Sequence, residues 1–216
     1  MKALLFDLDG TLTDPREGIT RSIAHALERL GIEPPPLQQL TFAIGPPLRL
    51  SFARLLATEK RETIELAVKH YRERFADVGL FENAPYDGIA ETLGALAAGG
   101  APLFVATSKP LVYARRIVDH FDLGRHFIEV HGCELDGTRE DKRDLIAHIL
   151  PRHRLDAARA VMIGDRGADM LAARHHGLGA VGALWGYGTR EELLEHGAQR
   201  LCAGPRQLIE TLDAPN

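Results

Sequence analysis

Short apolar runs alternate along the chain with longer segments in which apolar residues recur at helical spacing. Runs of four apolar residues stand at 3–6, 103–106 and 160–163. A run of this length is typical of a strand buried on both faces of a parallel sheet. Weaker strand patterns stand at 127–130, 179–183 and 200–202. Because helical patterns lie between these runs, the sequence predicts an α/β fold with helices on both faces of the sheet.

Residues 14–83 interrupt this alternation, because they contain helical patterns and no strand pattern. Asp14 is predicted to cap the first helix, since a short polar side chain can accept a hydrogen bond from a free N–H group at a helix N-terminus. Residues 41–48 are predicted to form a loop. We therefore expect a core domain of residues 1–13 and 84–216, and a helical cap domain inserted over the end of the first strand.

Each of the three strongest strands ends in polar residues. Asp7 and Asp9 follow the first, Thr107 follows the second, and Asp165 and Asp169 follow the third. Because the carboxyl ends of parallel strands lie along one edge of a sheet, we expect these side chains to converge. Four carboxylates in one place require a cation, and an all-oxygen ligand set suits Mg²⁺.

The same residue types can carry out phosphoryl chemistry. A carboxylate at a strand end can attack an electrophile, and a second one two residues later can transfer a proton. The hydroxyl of Thr107 and the backbone N–H that follows it can hold a phosphate oxygen. Lys142 begins a predicted helix and is the cation best placed to balance Asp7 and a phosphate.

The polar residues at the strand ends form recognisable motifs. Asp7-Leu8-Asp9-Gly10-Thr11 resembles the first motif of the haloacid dehalogenase-like hydrolases. Thr107, Lys142 and the Gly164–Asp169 segment resemble the family's remaining three motifs, in the same order. The helical insertion resembles the C1 cap of the family. The resemblance covers the whole chain and implies a Rossmann-like three-layer core with a parallel sheet.

The resemblance also implies a mechanism. Asp7 would attack phosphorus and form an aspartyl-phosphate, while Asp9 would protonate the leaving alkoxide and later deprotonate the attacking water. Mg²⁺ would be held by the side chains of Asp7 and Asp165 and by the backbone carbonyl of Asp9. Asp169 would support the ion directly or through a neighbour. The expected phosphate-binding residues are Asp7, Thr107, Ser108 and Lys142.

Further motifs are similar to those of the phosphoglycolate phosphatase-like branch of the family, namely Thr107–Pro110 and Ile44–Leu48. A Leu-Asp-Gly-x-Arg-x-x-Lys pattern ending at Lys142 and a Trp-Gly-Tyr-Gly segment at 185–188 resemble a subset known as 5′-nucleotidases. Many phosphoglycolate phosphatases have Lys-Pro-x-Pro at the third motif, which this chain lacks. The expected substrate is therefore phosphoglycolate or a nucleoside 5′-monophosphate.

Each core residue also has an interpretation without chemistry. Thr107 could cap the following helix, and Asp169 could be an N-cap. Lys142 could be a solvated lysine at a helix start, with Lys109 as the rival for its role.

In the cap, Gly45 is predicted to mark a loop that closes over substrate, although a plain connector is the alternative. Arg49 is expected to bind a substrate carboxylate or phosphate, or else to be solvated. The ten histidines show no metal-binding spacing, and no role is predicted for them.

Other functions differ from the phosphatase in the residues that they require. A dehalogenase would not need Asp9. A phosphonatase needs a lysine in a cap loop, whereas Lys60 and Lys69 lie in a predicted cap helix. A sugar phosphomutase resembling β-phosphoglucomutase shares all four motifs and stays open. A non-catalytic module that binds a metabolite is the alternative from outside the enzymes.

Composition limits the partners. The chain has 216 residues, a net charge of −4 and 45% hydrophobic residues, which fits a globular core with a modest insertion. Its charge is not basic, so no nucleic acid polymer is expected to bind. Two cysteines without paired spacing, no signal peptide and no membrane-length apolar run predict a cytoplasmic protein. We expect a monomer or weak homodimer that binds a small phosphorylated metabolite and no membrane.

Overall fold

The computed structural model describes residues 2–214, which divide into two compact units. The first unit contains the chain up to Asp14 and from Pro85 onward, and the second spans Pro15–Ala84. Each boundary lies one residue after the one expected for the core and the cap. In the described part of the chain, every helix is too short or too polar to cross a bilayer.

Eight strands in the described residues form two sheets. Their bounds are β1 (Ala3–Phe6), β2 (Thr13–Asp14), β3 (Ala84–Pro85), β4 (Leu103–Pro110), β5 (Glu129–Cys133), β6 (Ala160–Gly164), β7 (Gly179–Ala183) and β8 (Arg200–Cys202). Six strands pair in the order β5-β4-β1-β6-β7-β8, all in parallel. The predicted α/β fold with a parallel sheet is therefore confirmed. The second sheet consists of β2 and β3.

Nine α-helices surround or follow these strands in the described residues. Their bounds are α1 (Arg16–Arg29), α2 (Leu48–Leu55), α3 (Arg61–Arg74), α4 (Ile89–Ala98), α5 (Leu111–His120), α6 (Lys142–Arg152), α7 (Gly167–His176), α8 (Arg190–His196) and α9 (Leu208–Asp213). Short 3₁₀ segments lie at Leu37–Ala43, Gly124–His126, Ala157–Arg159 and Pro205–Gln207, and a π-helical turn at Phe75–Gly79.

The order of the strands makes β1 the switch point of the large sheet. From β1 the chain adds β4 and β5 on one side, and then β6, β7 and β8 on the other. Leu5 lies opposite Phe104 on β4 and Met162 on β6, so β1 and β6 end at nearly the same level, while β4 continues beyond them to Pro110. Open α/β sheets bind ligands beside the strand ends at such a point.

The core of the sheet unit is built from alternate strand residues and one stripe of each helix. Ala3 and Leu5 of β1 face the same side as Met162 of β6, because successive strand residues point to opposite faces. Leu145 and Ile149, one turn apart on α6, pack against this side. This packing fixes the direction of α6, whose first turn carries a site residue.

The Pro15–Ala84 unit has an aromatic core of its own. Tyr71 stacks on Phe75 with ring centroids 5.0 Å apart, and Phe52 meets Tyr71 edge-on. Close to this stack, a Cβ on Gly18 would lie 2.0 Å from the carbonyl oxygen of Gly79, so the chain needs glycine there. The unit is helical, as the sequence predicted.

Three local predictions were wrong. Asp14 does not cap α1, because Pro15 is the N-cap residue and Asp14 instead accepts a hydrogen bond from the Tyr187 hydroxyl. The predicted loop at 41–48 begins within the 3₁₀ segment Leu37–Ala43. The strand expected at 127–130 lies at Glu129–Cys133. For Asp14 and for β5, a contact distant in sequence outweighs the local pattern.

Candidate active site

Asp7 and Asp9 follow β1 and are both buried at the carboxyl edge of the sheet. The Asp7 N–H donates to the Ile163 carbonyl at 2.9 Å, which extends the strand ladder by one residue. The Leu8 N–H donates to Asp7 Oδ1 at 2.8 Å. Gly10 then turns the chain with a φ of +82°, a conformation that favours glycine. The two carboxylates are thus held by backbone geometry.

Lys142 is the first residue of α6 and is buried beside Asp7. Its Nζ lies 2.9 Å from Asp7 Oδ2 and also donates to Asp169 Oδ1. Burial lowers the pKa of the Lys142 ammonium, but the two carboxylates outweigh this effect and leave the pKa above its usual value. A charged, fixed ammonium at this position can balance the charge of Asp7 and of a phosphate.

Lys109 forms a separate buried pair with Asp9. Its Nζ lies 2.6 Å from Asp9 Oδ2. The other oxygen, Asp9 Oδ1, is buried and has no hydrogen-bond partner among residues 2–214. Burial raises the pKa of the Asp9 carboxyl, although Lys109 opposes this shift. The two lysines considered for balancing the charge of Asp7 therefore have different partners, since Lys142 contacts Asp7 and Lys109 contacts Asp9.

Asp165 is held by three neighbouring segments of the chain. It follows β6, and its Oδ1 accepts a hydrogen bond of 3.2 Å from the Thr11 hydroxyl. Its Oδ2 accepts one of 2.8 Å from the Tyr187 N–H. A Cβ on Gly186 would lie 2.3 Å from the Asp165 Cβ. The segment after β7 can therefore pass this close to Asp165 only with glycine at position 186.

Asp169 lies in the first turn of α7, two residues inside the helix. Its Oδ2 accepts a hydrogen bond of 3.0 Å from the Arg166 N–H, which gives the residue a capping function. Asp169 occupies the third helical position rather than the N-cap, which is Arg166. Its other oxygen faces Lys142. Asp169 is therefore both part of a helix cap and part of the buried charge cluster.

The charges of the cluster do not balance without an ion. Four carboxylates and two ammonium groups are buried, and they belong to Asp7, Asp9, Asp165, Asp169, Lys109 and Lys142. Burial raises the pKa of Asp165 well above its usual range, and the Asp169 carboxylate adds to the shift. Burial likewise raises the pKa of Asp169 to about 6, against the opposing effect of Lys142. Both shifts mark a place where positive charge is missing.

A divalent cation fits this deficit. One carboxylate oxygen from each of Asp7, Asp165 and Asp169 lies within 4.8 Å of the others. All three side chains are buried, and hard oxygen donors are the ligands that Mg²⁺ prefers. The Asp9 carboxylate is not part of this group, which leaves its backbone carbonyl as the oxygen expected from that residue.

Thr107 and Ser108 lie within β4, beside Asp7 in the sheet. The strand runs on to Pro110, beyond the predicted end at residue 106. The Lys109 N–H donates to the Thr107 hydroxyl at 3.2 Å, and the N-cap of α5 is Pro110. Thr107 therefore does not cap that helix. The Ser108 carbonyl accepts a hydrogen bond from the Cys133 thiol.

The two residues expected to contact substrate from the cap lie in the helical unit. Gly45 has a φ of +97° in the turn that precedes α2. Arg49 is on α2, where its Nε lies 2.6 Å from Glu65 Oε1. This hydrogen bond from Arg49 lowers the pKa of the Glu65 carboxyl. The roles of Gly45 and Arg49 toward substrate stay predictions.

The sequence patterns did not predict the contacts that hold Asp165 in place. Thr11 and Tyr187 both donate to Asp165, and the Trp185 indole donates to the Thr11 carbonyl at 2.9 Å. The sequence predicts Trp185 and Tyr187 as packing residues near the site, with contact to a base or sugar as the alternative. The Thr in Asp-x-Asp-Gly-Thr was the available signal, because a hydroxyl beside two acids can orient a third.

The family comparison points to one class of enzyme. The family model for haloacid dehalogenase-like hydrolases matches residues 4–183. A 5′-nucleotidase of Pseudomonas aeruginosa is 49% identical to this chain, over 98% of the chain and 95% of its own length. A phosphoglycolate phosphatase of Agrobacterium fabrum is 31% identical over 85% of the chain and 80% of its own length.

Two further relatives extend the comparison. The tyrosine-protein kinase PtkA of Mycobacterium tuberculosis is 40% identical over 87% of this chain, which spans 64% of the length of that protein. The crystal structure of a predicted phosphatase from Clostridium acetobutylicum is 38% identical, with a TM-score of 0.94 over 98% of this chain and 97% of that one.

Proposed function

Because the chain belongs to the haloacid dehalogenase-like hydrolases, we propose that it hydrolyses a small phosphate monoester through an aspartyl-phosphate formed on Asp7. Its membership of this family makes it an enzyme, and its relatives with phosphatase names favour phosphoric monoesters as substrates. The observation that carries the proposal is the buried pair of Asp7 and Asp9, each matched to its own lysine. A dehalogenase or a passive binding module would not need the second acid.

In the first step, an Asp7 carboxylate oxygen attacks phosphorus, and the bond from phosphorus to the ester oxygen breaks. Asp9 gives its proton to the leaving oxygen. The raised pKa of Asp9 supports this role, since a buried carboxyl holds its proton more firmly. Its unpartnered Oδ1 is the atom best suited to reach the leaving group.

In the second step, water attacks the phosphorus of the aspartyl-phosphate, and Asp9 accepts the proton of that water. The bond between Asp7 and phosphorus breaks, which releases phosphate, restores the Asp7 carboxylate and leaves Asp9 protonated for the next cycle. Lys109 keeps Asp9 in one orientation through both steps. One group thus acts as acid and then as base.

Mg²⁺ is part of this proposal because it would balance the excess negative charge of the four buried carboxylates. Asp7, Asp165 and the Asp9 carbonyl would hold the ion, and Asp169 would support it. When bound, Mg²⁺ would neutralise the phosphate and hold it for in-line attack. Thr107 and Ser108 would hold the phosphate oxygens together with Lys142.

The substrate class is a small phosphorylated metabolite. The 5′-nucleotidase relative and the Trp185–Gly188 segment favour a nucleoside 5′-monophosphate, and the phosphoglycolate phosphatase relative keeps phosphoglycolate as the other substrate. The PtkA relative adds a phosphoryl transfer to protein tyrosine as an outcome to test. A cytoplasmic location and a monomeric or weakly dimeric state stay predictions.

The test is a phosphate-release assay with Mg²⁺, repeated after addition of EDTA. The substrates are phosphoglycolate, nucleoside 5′-monophosphates, sugar phosphates and p-nitrophenyl phosphate. The Asp7→Asn variant gives the background. Asp87→Asn is the matched control, because Asp87 is 91% exposed on the sheet unit. We expect EDTA-sensitive release from one monoester class by the wild type and the control alone.

Release by Asp7→Asn at the wild-type rate would refute the assignment of the nucleophile. Absence of release from every substrate, with phosphoryl transfer between two sugar phosphates, would instead identify a mutase. Transfer from ATP to a tyrosine peptide, without release from any monoester, would identify a kinase.

A further inference from the structure

The outermost strand of the large sheet, β5, and the end of α6 carry two histidines and a glutamate that the proposed reaction does not use. Glu129 begins β5 and His131 lies two residues later, so both project from the same face of the strand. His153 directly follows α6. We infer that these three side chains, the β5–α6 cluster, form a second metal site, which binds a divalent transition-metal ion such as Zn²⁺.

The distances in the β5–α6 cluster match one ion. His131 Nε2 lies 2.9 Å from His153 Nε2 and 3.9 Å from Glu129 Oε2. His153 Nε2 lies 3.4 Å from the same Glu129 oxygen. Three atoms at these separations lie on a circle of about 2.0 Å radius, which is the length of a Zn–N or Zn–O bond. One ion can therefore contact all three without a large movement.

The donor types select the kind of ion. Two imidazole nitrogens and one carboxylate oxygen suit Zn²⁺ and its first-row neighbours, whereas Mg²⁺ prefers oxygen ligands alone. The side chain of Glu129 is 25% exposed and that of His153 is 15% exposed, so water can supply a fourth ligand. The site is thus chemically distinct from the all-carboxylate cluster at the carboxyl edge.

Neighbouring side chains hold the donors in place. The Phe104 ring packs against His153, with centroids 4.5 Å apart. Arg152 donates from Nη2 to Glu129 Oε1 at 3.0 Å and from Nε to Oε2 at 3.1 Å. The contact with Oε1 can persist while Oε2 binds an ion. Burial lowers the pKa of His131 to about 4, which keeps the imidazole in the neutral form that ligates metals.

An ion here would tie β5 to the carboxyl end of α6. The opposite end of the same helix presents Lys142 to Asp7. The helix has 11 residues, a length of about 16 Å. Metal binding at the β5–α6 cluster is therefore expected to stabilise the helix that positions the active-site lysine, without a contact to substrate.

The test measures Zn²⁺ binding to the full chain, stripped of metal and kept in excess Mg²⁺ to occupy the carboxylate cluster. Competition with a chromophoric chelator gives the affinity. We expect one Zn²⁺ per chain, and an affinity at least about tenfold lower in His153→Gln and in Glu129→Gln. His175→Gln, which changes an exposed histidine on α7, should bind as the wild type does.

Three results would overturn the inference. The first is wild-type affinity in both cluster variants, and the second is no Zn²⁺ binding at all. The third is a loss of affinity confined to Asp165→Asn, which would place the ion among the acids of the carboxyl edge. Circular dichroism melting confirms that each variant is folded, and Glu129→Gln remains informative if His153→Gln is not.

Co²⁺ provides a measurement that does not depend on the variants. In a four-coordinate site with nitrogen ligands it absorbs visible light strongly, whereas in an octahedral oxygen site it absorbs weakly. We expect the strong absorption from wild-type protein in excess Mg²⁺. The weak octahedral spectrum alone would contradict the assignment.

Discussion

The two edges of the large sheet bring ionisable groups together in different ways. At the carboxyl edge, four buried carboxylates face two lysines, of which Lys142 contacts Asp7 and Lys109 contacts Asp9. At the β5 edge, where β5 is the outermost strand, two histidines and a glutamate approach one another while an arginine holds the glutamate. The helix α6 reaches both edges, so the same element supports two sites of different chemistry.

The comparison shows that donor type and burial together determine whether a site needs an ion and which ion it can bind. The carboxyl edge concentrates negative charge where water is excluded, so it requires a hard cation and raises the pKa values of its own acids. The β5 edge gathers two imidazoles and a glutamate that Arg152 already pairs, so it needs no cation to be stable. The carboxylate cluster needs an ion to balance its charge, whereas the β5–α6 cluster is stable without an ion and can bind one.

The sharpest way to test the carboxyl edge is to remove its proton donor. Asp9→Asn should lower the hydrolysis of alkyl phosphates about a thousandfold, because the leaving alkoxide then departs without a proton. For p-nitrophenyl phosphate, whose leaving group needs no proton, we expect a rapid burst of nitrophenol followed by slow turnover. Stopped-flow absorbance measures the burst.

The burst separates the two roles of Asp9, because only the second step then needs the missing base. Asp87→Asn should show neither change. Equal slowing of alkyl and aryl substrates, with no burst, would contradict the role of Asp9 as the general acid.

The next largest effect is expected from removing a lysine of the same edge. Lys142→Gln leaves Asp7 and Asp169 without their cation, and breaking a buried pair in this way costs about 3–5 kcal/mol of unfolding free energy. Mg²⁺ should restore more stability to this variant than to the wild type, since it replaces the lost charge. Urea unfolding with and without Mg²⁺ measures both quantities.

Lys69→Gln is the matched control, because that lysine is exposed on α3. An equal Mg²⁺ effect on Lys142→Gln and on the wild type would show that the ion and the lysine do not share the same carboxylates.

A smaller effect is expected from crowding the metal ligands without changing a charge. A Cβ on Gly186 would lie 2.3 Å from the Asp165 Cβ and 2.4 Å from the Gly10 carbonyl oxygen. Gly186→Ala should therefore displace Asp165 and weaken Mg²⁺ binding about 10–100-fold. Calorimetric titration with Mg²⁺ measures the change.

Gly204→Ala serves as the control, because a Cβ there meets no atom within 4 Å. Unchanged Mg²⁺ affinity in Gly186→Ala would mean that Asp165 does not contribute to the ion site in its present position.

The carboxyl edge could be predicted because its information is local in the sequence. The strands β1 and β6 and the first four residues of β4 are continuous apolar runs, and acids stand immediately after β1 and β6. The extension of β4 to Pro110 could not be predicted, because a lysine and a proline seldom lie in a buried strand. Lys109 is accepted there since Asp9 neutralises it.

The β5 edge could not be predicted, because His153 shares no local spacing with Glu129 and His131. His131 and His153 are separated by 22 residues, and they meet only after β5 pairs with β4 and α6 packs back on the sheet. The contact between Asp14 and Tyr187 was missed for the same reason, since it joins residues 173 positions apart. Patterns along the chain identify elements and strand ends, whereas such meetings depend on packing.

The last prediction distinguishes the two edges by the pH dependence of stability, in protein freed of metal with EDTA. Burial lowers the pKa of His131 to about 4 in the folded chain, against 6.5 for an unperturbed histidine, while Glu129 opposes this shift and His153, His148 and Arg152 add to it. Between these pH values the unfolded chain binds a proton that the folded chain excludes. Stability should therefore fall as the pH drops from 6.5 to 4, with a slope of at most about 1.4 kcal/mol per pH unit.

His131→Gln should remove this contribution, so the free energies of unfolding of wild type and variant should converge as the pH falls. Urea unfolding at several pH values measures the difference, and His175→Gln should remain parallel to the wild type. A constant difference between wild type and His131→Gln across this range would mean that His131 binds its proton equally in both states. His131 would then titrate as an unperturbed histidine does, and the contrast between the β5 edge and the carboxyl edge would be lost.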